Sequence, residues 1–420
     1  MSSDIEVHIQ IGHDTHRVGT LHHHQRGRSE SSSFHYEDSW RTNPAAFALS
    51  PSLSLIAGEH HISSEQGSLP GAIRDGAPDR WGRTLILRSA AKDERSKPVT
   101  EVDFLVGLDD ETRIGAPRYK YVGEDNFLRP DRDRRLPPIL SLSRLMNAAD
   151  AVQSQTESVD DLTHLLGDGS PLGGARPKSV VVDTDGSLAI AKFPKADDIR
   201  NIAAGELLMS RLASMAGIRT CETHLVKVAN RPISIVRRFD RNDDGGRVHF
   251  ISAKTILNIG DKAEGSYADI AMAIRQYSEW PIEDCHELFR RVAFNILASN
   301  FDDHLRNHGF LFNPKTGKWR LSPAYDMNPV PISEKQRELT TWIDERGPEA
   351  SLAQLMNARD MFLVDEQDGH NTIAEIAEVT SQWMKIGSEI GLRSSELEPY
   401  KTAFEHDELK QVPSTTVRTP

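Results

Sequence analysis

"SNFDDHLRN", residues 299–307, sets two carboxylates, a histidine and an asparagine at the end of a long apolar-periodic stretch. The stretch before it, "PIEDCHELFRRVAFNILASN" (281–300), carries Cys285, Leu288, Phe289, Val292, Ala293, Ile296 and Leu297 on one stripe. That spacing predicts a core helix. A core helix that ends in so much polar chemistry admits three readings: a metal site, a phosphoryl-transfer site, or an ordinary polar loop after a helix stop.

Asp302 and Asn307 stand five positions apart, as D-x-x-x-x-N. This is the spacing of a protein-kinase catalytic loop, where the aspartate takes the nucleophile's proton and the asparagine offers a neutral oxygen to Mg²⁺. Downstream, "GFLF", "NPKTGK" and "WRL" (309–321) read as strand, turn and strand,. Asp326 follows in "LSPAYDMNP", where kinases place a second metal-binding aspartate. Three oxygen ligands on one short scaffold suit a hard cation. The competing metal reading takes Asp302, Asp303 and His304 as zinc or manganese ligands,. Adjacent residues on one loop rarely share an ion, and no second histidine sits at helical spacing.

Upstream the order is strand, strand, helix, strand, strand. "DGSPLGGARPKS" (168–179) is a Gly-rich loop leading into "VVVD"; "TDGS" turns the chain into "LAIAKFP" (188–194). The helix "IRNIAAGELLMSRLASMAGI" (199–218) stops at Gly217, and "THLVKV" and "PISIVRRFD" are further strands,. This is the layout of a small nucleotide-binding lobe. Lys192, between Ile190 and Phe193, is either a solvated strand end or a phosphate-binding lysine,. Glu206 falls among Ile202, Met209 and Ala213 on its helix. A carboxylate on that stripe needs a partner, for which Lys192 is suited, unless it flanks the stripe and reaches water. The Gly-rich loop is neither a Walker A motif nor G-x-G-x-x-G, because Ala175 stands where the Walker lysine belongs.

The chain of 420 residues has a net charge of −12 and a pI near 5.8, with 38% hydrophobic and 27% charged residues. It can build a sizeable core and is poorly suited to bind nucleic acid unaided. Cys221 and Cys285 imply no disulfide framework,. There is no signal-peptide pattern and no membrane-length apolar run, so a soluble, cytoplasmic protein with no membrane partner is expected. The N-terminal region is β-rich at first ("IEVHIQIG", "SSSFHYED"), then helical in "GAPDRWGRTLILRSA" and in "TEVDFLVGL", the latter with Thr100 as N-cap,. "LHHHQRG" (21–27) reads as a surface strand, since adjacent histidines there point to opposite faces,. The expected division is 1–128, a charged Pro-containing linker 129–140, a nucleotide-binding part 141–242, a helical lobe 243–400 and a loose polar tail 401–420.

Taken in order, "GGARPKS", "AKFP", "VRRFDR", "NFDDHLRN" and "LSPAYDMNP" resemble the HipA family of serine/threonine kinases, the toxin halves of bacterial toxin–antitoxin pairs. "NPAAFALSPSLSL" and "DGAPDRWGR" resemble that family's N-terminal region. The resemblance implies an α+β, bilobed protein-kinase-like fold, with a β-rich N-terminal subdomain, a mainly helical C-lobe, and ATP and Mg²⁺ as cofactors. It makes Asp302 the catalytic base, Asn307 and Asp326 the metal ligands, and Lys192 the phosphate-holding lysine that completes the catalytic set. Gly173, Gly174, Ala175 and Lys178 would belong to the loop over ATP, and Phe239 would pack the adenine. Pro171 stands where the family often has a serine, so inhibitory autophosphorylation would move to Ser170 or be absent. Implied partners are a HipB-type helix-turn-helix antitoxin, operator DNA reached mainly through it, and a protein substrate of the aminoacyl-tRNA synthetase class. Two other readings stand beside this one: a small-molecule kinase of the aminoglycoside-phosphotransferase type, and a degenerate kinase lobe serving as an antitoxin-binding co-repressor.

Overall fold

A computed structural model describes residues 4–26, 29–62, 67–92, 99–128, 136–167, 174–260 and 264–412. The chain forms two compact units. One is Met1–Asp197 with Val226–Ala263 and Phe310–Gly317; the other is Asp198–Leu225 with Glu264–Gly309 and Lys318–Pro420.

The first unit begins with a five-stranded antiparallel sheet: β1 (Ile5–Ile11), β2 (Asp14–Arg26), β3 (Ser29–Tyr36), β4 (Glu59–His61) and β5 (Pro117–Tyr121), in the order β4-β3-β2-β1-β5. Alternation decides its faces. Ile5, Val7, Ile9, Leu21 and Phe34 are buried on one side, while His22, His35 and Glu59 stand on the other,. A Cβ on Gly19 would lie 2.2 Å from the His35 carbonyl oxygen and 2.5 Å from the Phe34 ring, so β2 and β3 close only around glycine,.

Helices α1 (Arg80–Lys92) and α2 (Glu101–Val106) follow; Thr100 caps α2 in a full capping box with Asp103, as the sequence predicts,. Then come α3 (Leu142–Gln153) and α4 (Val159–Gly167), and a four-stranded sheet of β6 (Lys178–Val182), β7 (Leu188–Lys192), β8 (Thr223–Val228) and β9 (Arg231–Arg237), in the order β6-β7-β9-β8. Trp81 and Leu85 of α1 share one apolar cluster with α3, α4 and the sheet residues Val181, Ala189, Ala191, Ile233 and Ile235. The indole N–H of Trp81 donates to the Lys178 carbonyl at 3.1 Å. Helix α1 of the N-terminal region is therefore built into the core of the four-stranded sheet. A buried ion cluster reinforces this: Arg238 clamps Asp240, donates to the Thr112 and Arg113 carbonyls, and Asp240 accepts from the Gly115 N–H.

The second unit is helical. It contains α5 (Ile202–Met215), capped by Asn201, α6 (Tyr267–Tyr277), α7 (Pro281–Leu297) and α8 (Glu366–Ser381). α5 stops where Gly217 turns left-handed (φ 75°),. Pro281 starts α7 at a position where its missing N–H costs nothing, and Leu288, Phe289, Val292 and Ile296 bury the predicted stripe,. After it the strands β11 (Gly309–Asn313) and β12 (Lys318–Leu321) form the expected hairpin; β11 falls almost wholly in the first unit, where it pairs with β10 (Phe250–Ser252).

The expected loose tail needs correction. Residues 401–412 are anchored: Phe404 stacks on Trp383 at 4.9 Å, and His406 is buried, with Nε2 2.9 Å from the Leu297 carbonyl oxygen. His406 also caps the turn Asp407–Lys410. Reading "HDELKQ" as polar overlooked a histidine that caps one helix while bonding the end of another. Residues 413–420, and most of the expected linker (129–135), lie outside the described residues. Among the described residues no helix is long and apolar enough to cross a membrane.

The fold carries an acid-labile group. His249 is buried with Nε2 2.8 Å from the Leu49 carbonyl oxygen, and burial pushes its pKa down from 6.5 to about 4. Its neutral form is favoured in the folded state, so its contribution is complete above pH 6.5 and is lost as pH falls towards 4,. Chemical denaturation between pH 7 and 4.5 is expected to show a loss approaching ~3 kcal/mol from this group, and His249→Gln is expected to flatten the profile by that amount. Parallel profiles for the two proteins would remove His249 as the cause.

Candidate active site

The last turn of α7 delivers Asn295, and Ser299 (φ 54°) breaks the helix and starts the loop. The two adjacent aspartates then part company. Asp302 is exposed, whereas Asp303 is buried to 4% exposure. Three groups converge on Asp303 Oδ2: the Tyr267 hydroxyl at 2.5 Å, Asn295 Nδ2 at 2.8 Å and His308 Nε2 at 2.6 Å. Burial alone would raise the Asp303 carboxyl; the facing His308 and the hydrogen bonds from His308 and Tyr267 outweigh it and hold the group below the ordinary carboxylate value,. A carboxylate so surrounded is a structural anchor, which removes Asp303 from the zinc or manganese reading.

The anchor pins the loop on both sides of a short 3₁₀ turn, Leu305–Asn307. Asn307 is buried, donates from Nδ2 to the Asp302 carbonyl at 3.4 Å, and leaves its Oδ1 buried with no hydrogen-bond partner. An unsatisfied buried amide oxygen is costly unless something else occupies it. A divalent cation is such an occupant, so the residues present fit the Mg²⁺ that the sequence implies.

Asp326 arrives on a segment laid along this loop. The Tyr325 hydroxyl donates to the Arg306 carbonyl at 2.6 Å, Asn328 N–H to Asn300 Oδ1 at 3.0 Å, and Val330 N–H to the Ser299 carbonyl at 2.9 Å. Asn307, Tyr325 and Met327 line one cavity of about 10 Å³, room for a single water,. Between these ties Asp326 is half-buried and left-handed, at φ 59°. That conformation is disfavoured for any residue with a Cβ and concentrates at functional positions. The segment is also held from below. Arg320 pairs with both oxygens of Asp284 at 2.9 Å, the Leu321 N–H donates to the same carboxylate at 3.0 Å, and Arg291 donates to the Ser322 carbonyl at 2.7 Å.

In the first unit, Lys192 ends β7, 9% exposed, directly opposite Lys178 on β6 and Ser234 on β9. Ala189, Ala191 and Phe193 turn to the α1–α3–α4 cluster, so alternation puts Lys192, Ile190, Val180, Lys178 and Ser234 on the other face,. Two lysines opposite each other repel unless anions attend them. Asp79 attends Lys178, with Nζ 2.9 Å from Oδ2 and both side chains almost fully buried. Gly174 is left-handed (φ 122°), its carbonyl accepts from the Trp81 N–H at 3.4 Å, and Ala175 is exposed. Phe239 is half-buried, 5.9 Å from the Phe250 ring. Glu206 is buried in α5. Ser170 and Gly173 lie outside the described residues.

Two family models match the chain: the HipA-like C-terminal domain over residues 170–383 and the HipA N-terminal domain over residues 9–112. The chain belongs to the HipA family. Among its relatives are a putative kinase of Haemophilus influenzae, 30% identical over 147 residues (32% of this chain, 43% of the relative), and the serine/threonine-protein kinase toxin HipA of Shewanella oneidensis, 23% identical over 183 residues (38% and 42%). This chain thus matches less than half the length of each of these two relatives. A solved complex of Shewanella oneidensis HipA with HipB and operator DNA contains a similar chain, with a TM-score of 0.69, 18% identity and 95% of both chains covered. The α+β, protein-kinase-like fold of the HipA family is accordingly the fold of this chain.

The adjacent aspartates should separate by experiment. Asp302→Asn is expected to leave stability within about 0.5 kcal/mol of wild type, since the side chain is exposed,. Asp303→Asn removes the charge facing a buried histidine and is expected to cost on the order of 3 kcal/mol,. Urea denaturation of both variants checks this; equal stabilities would contradict the anchor role.

Proposed function

We propose that the protein is an ATP- and Mg²⁺-dependent serine/threonine protein kinase, acting as the toxin of a HipBA-like pair. The observation that carries this reading is the unpartnered, buried Asn307 Oδ1 five residues after an exposed aspartate, with left-handed Asp326 tied alongside. Bound MgATP supplies the phosphoryl group and the cation charge that offsets its oxygens. Asp302 would orient the substrate hydroxyl and accept its proton, its exposure giving a protein substrate access,. Asn307 and Asp326 would hold Mg²⁺. Lys192 would meet the phosphates from the sheet face opposite the α1–α3–α4 cluster, with Gly173, Gly174, Ala175 and Lys178 in the covering loop and Phe239 at the adenine. Ser170 is the hydroxyl for any inhibitory autophosphorylation.

The kinase names of the relatives support the activity, and the HipA–HipB–operator complex supports a HipB-like antitoxin and operator DNA as partners; by resemblance the antitoxin would be a helix-turn-helix protein carrying most of the DNA contact. A net charge of −12 fits that division of labour,. By resemblance the substrate is an aminoacyl-tRNA synthetase, whose phosphorylation would inhibit translation. The intact set Asp302, Asn307, Asp326 and Lys192 weighs against a degenerate co-repressor.

Incubation with γ-labelled ATP and a bacterial lysate tests the proposal. Label in a discrete protein band is expected with Mg²⁺ and not with EDTA; label only in small molecules would favour the aminoglycoside-type reading. Asp302→Ala and Asp326→Ala are expected to lower transfer by roughly 10²–10⁴-fold. Near-wild-type turnover in either variant would contradict the assignment.

A further inference from the structure

The polar face of the five-stranded sheet carries a second constellation, independent of the kinase reading. His22 on β2 stands opposite Ser33 of β3, and His35 of β3 stands opposite both Thr20 of β2 and Glu59 of β4. Residues two apart on a strand share a face, so His22 and His35 are diagonal neighbours, with Glu59 beside His35. The atoms they turn to one another are His22 Nε2, His35 Nδ1 and Glu59 Oε1, all within 4.8 Å of each other. His22 Nε2 and His35 Nδ1 are 3.1 Å apart; Glu59 Oε1 is 3.7 Å from His35 Nδ1 and 4.0 Å from His22 Nε2.

The geometry points to a site for a first-row divalent transition-metal ion of the zinc type, held by His22 Nε2, His35 Nδ1 and Glu59 Oε1. Metal–nitrogen bonds of about 2.0–2.1 Å at a tetrahedral angle put two ligand nitrogens roughly 3.3 Å apart. The imidazole pair already has nearly that bite, and the carboxylate oxygen needs to close by about 0.4 Å on His35 and about 0.7 Å on His22,. The histidines also have the outer support that metal ligands usually have. His22 Nδ1 lies 3.0 Å from Asp4 Oδ1, a hydrogen bond that leaves Nε2 with its lone pair free for the ion. His35 Nε2 faces Glu37 Oε1 at 3.9 Å, the side on which its proton would sit once Nδ1 is a ligand.

The bland account is a direct hydrogen bond between two neutral imidazoles. It explains the 3.1 Å contact but gives no reason for a carboxylate oxygen to converge on the same two nitrogens. The cluster is reachable from solvent, with side chains 26%, 32% and 42% exposed for His22, His35 and Glu59. Two imidazoles and one carboxylate match a zinc set with a fourth position for water. The bound ion would join three strands and fasten β4, a strand of only three residues at the sheet edge,. The sequence reading was right that neighbouring histidines diverge; the partner of His22 comes from the next strand.

The test is calorimetric titration of EDTA-treated full-length protein with Zn²⁺, and with Co²⁺ to read the visible band of a four-coordinate ion. One equivalent is expected to bind. His22→Ala, His35→Ala and Glu59→Gln should each lose that equivalent and the cobalt band, while Asp4→Asn should weaken binding by roughly 10–100-fold. Circular dichroism checks that each variant is folded. With other histidines in the chain, the decisive comparison is wild type against the His22→Ala/His35→Ala protein. Unchanged stoichiometry and affinity in that variant, or no zinc binding by wild type, would overturn the proposal.

Discussion

A single buried carboxylate organises the loop that follows α7. Asp303 takes hydrogen bonds from α6 through Tyr267, from α7 through Asn295 and from the far side of its own loop through His308. A charge withdrawn from water is stable only with such compensation, so the loop has one low-energy path. That path turns Asp302 outwards and Asn307 inwards. The left-handed Asp326 segment is then laid against a surface already fixed, by bonds to Ser299, Asn300 and Arg306. Exposure of Asp302 is the consequence of the burial of its neighbour Asp303.

The same logic recurs one layer further out. Asp284 receives Arg320, Arg219, Ser278 and the Leu321 N–H; burial of its carboxyl is outweighed by Arg320, the Leu321 N–H and the Ser278 hydroxyl, which hold it below the ordinary carboxylate value. Asp284 and Asn295 both sit on buried positions of α7 and commit that helix to polar partners at each end. The first unit uses the device differently: Asp79 faces Lys178 on the strand that pairs with Lys192, and the Arg238–Asp240 pair ties the chain near Gly115 to the end of β9.

Much of this was legible in the sequence because periodicity and spacing are local. The stripe of α7, the cap at Thr100, the stop at Gly217, the hairpin after Asn307 and the sheet strand bearing Lys192 all follow from residues near one another in the chain. What the sequence hid is non-local. Asp303 looks identical to Asp302 in a string of letters; the groups that meet it, Tyr267, Asn295 and His308, tell them apart. A usable signal was present, since Asp284 and Asn295 fall on the apolar face of α7 as Glu206 does on α5. Likewise nothing local announces that Trp81 belongs to the core of the sheet 178–192, or that His406 caps a turn while bonding the end of α7. The cross-strand meeting of His22 with His35 depends on register, which the chain alone leaves open,.

On the proposed reading Asn307 and Asp326, held side by side by the Asp303 loop and the segment laid along it, would share one divalent cation. The most direct measurement is a crystal structure of the protein with Mn²⁺ and a non-hydrolysable ATP analogue, locating the metal by anomalous scattering. A peak is expected within about 2.2 Å of both Asn307 Oδ1 and an Asp326 carboxylate oxygen, in contact with the phosphates. A cation bound elsewhere, with Asn307 Oδ1 satisfied by protein or left empty beside the nucleotide, would contradict it.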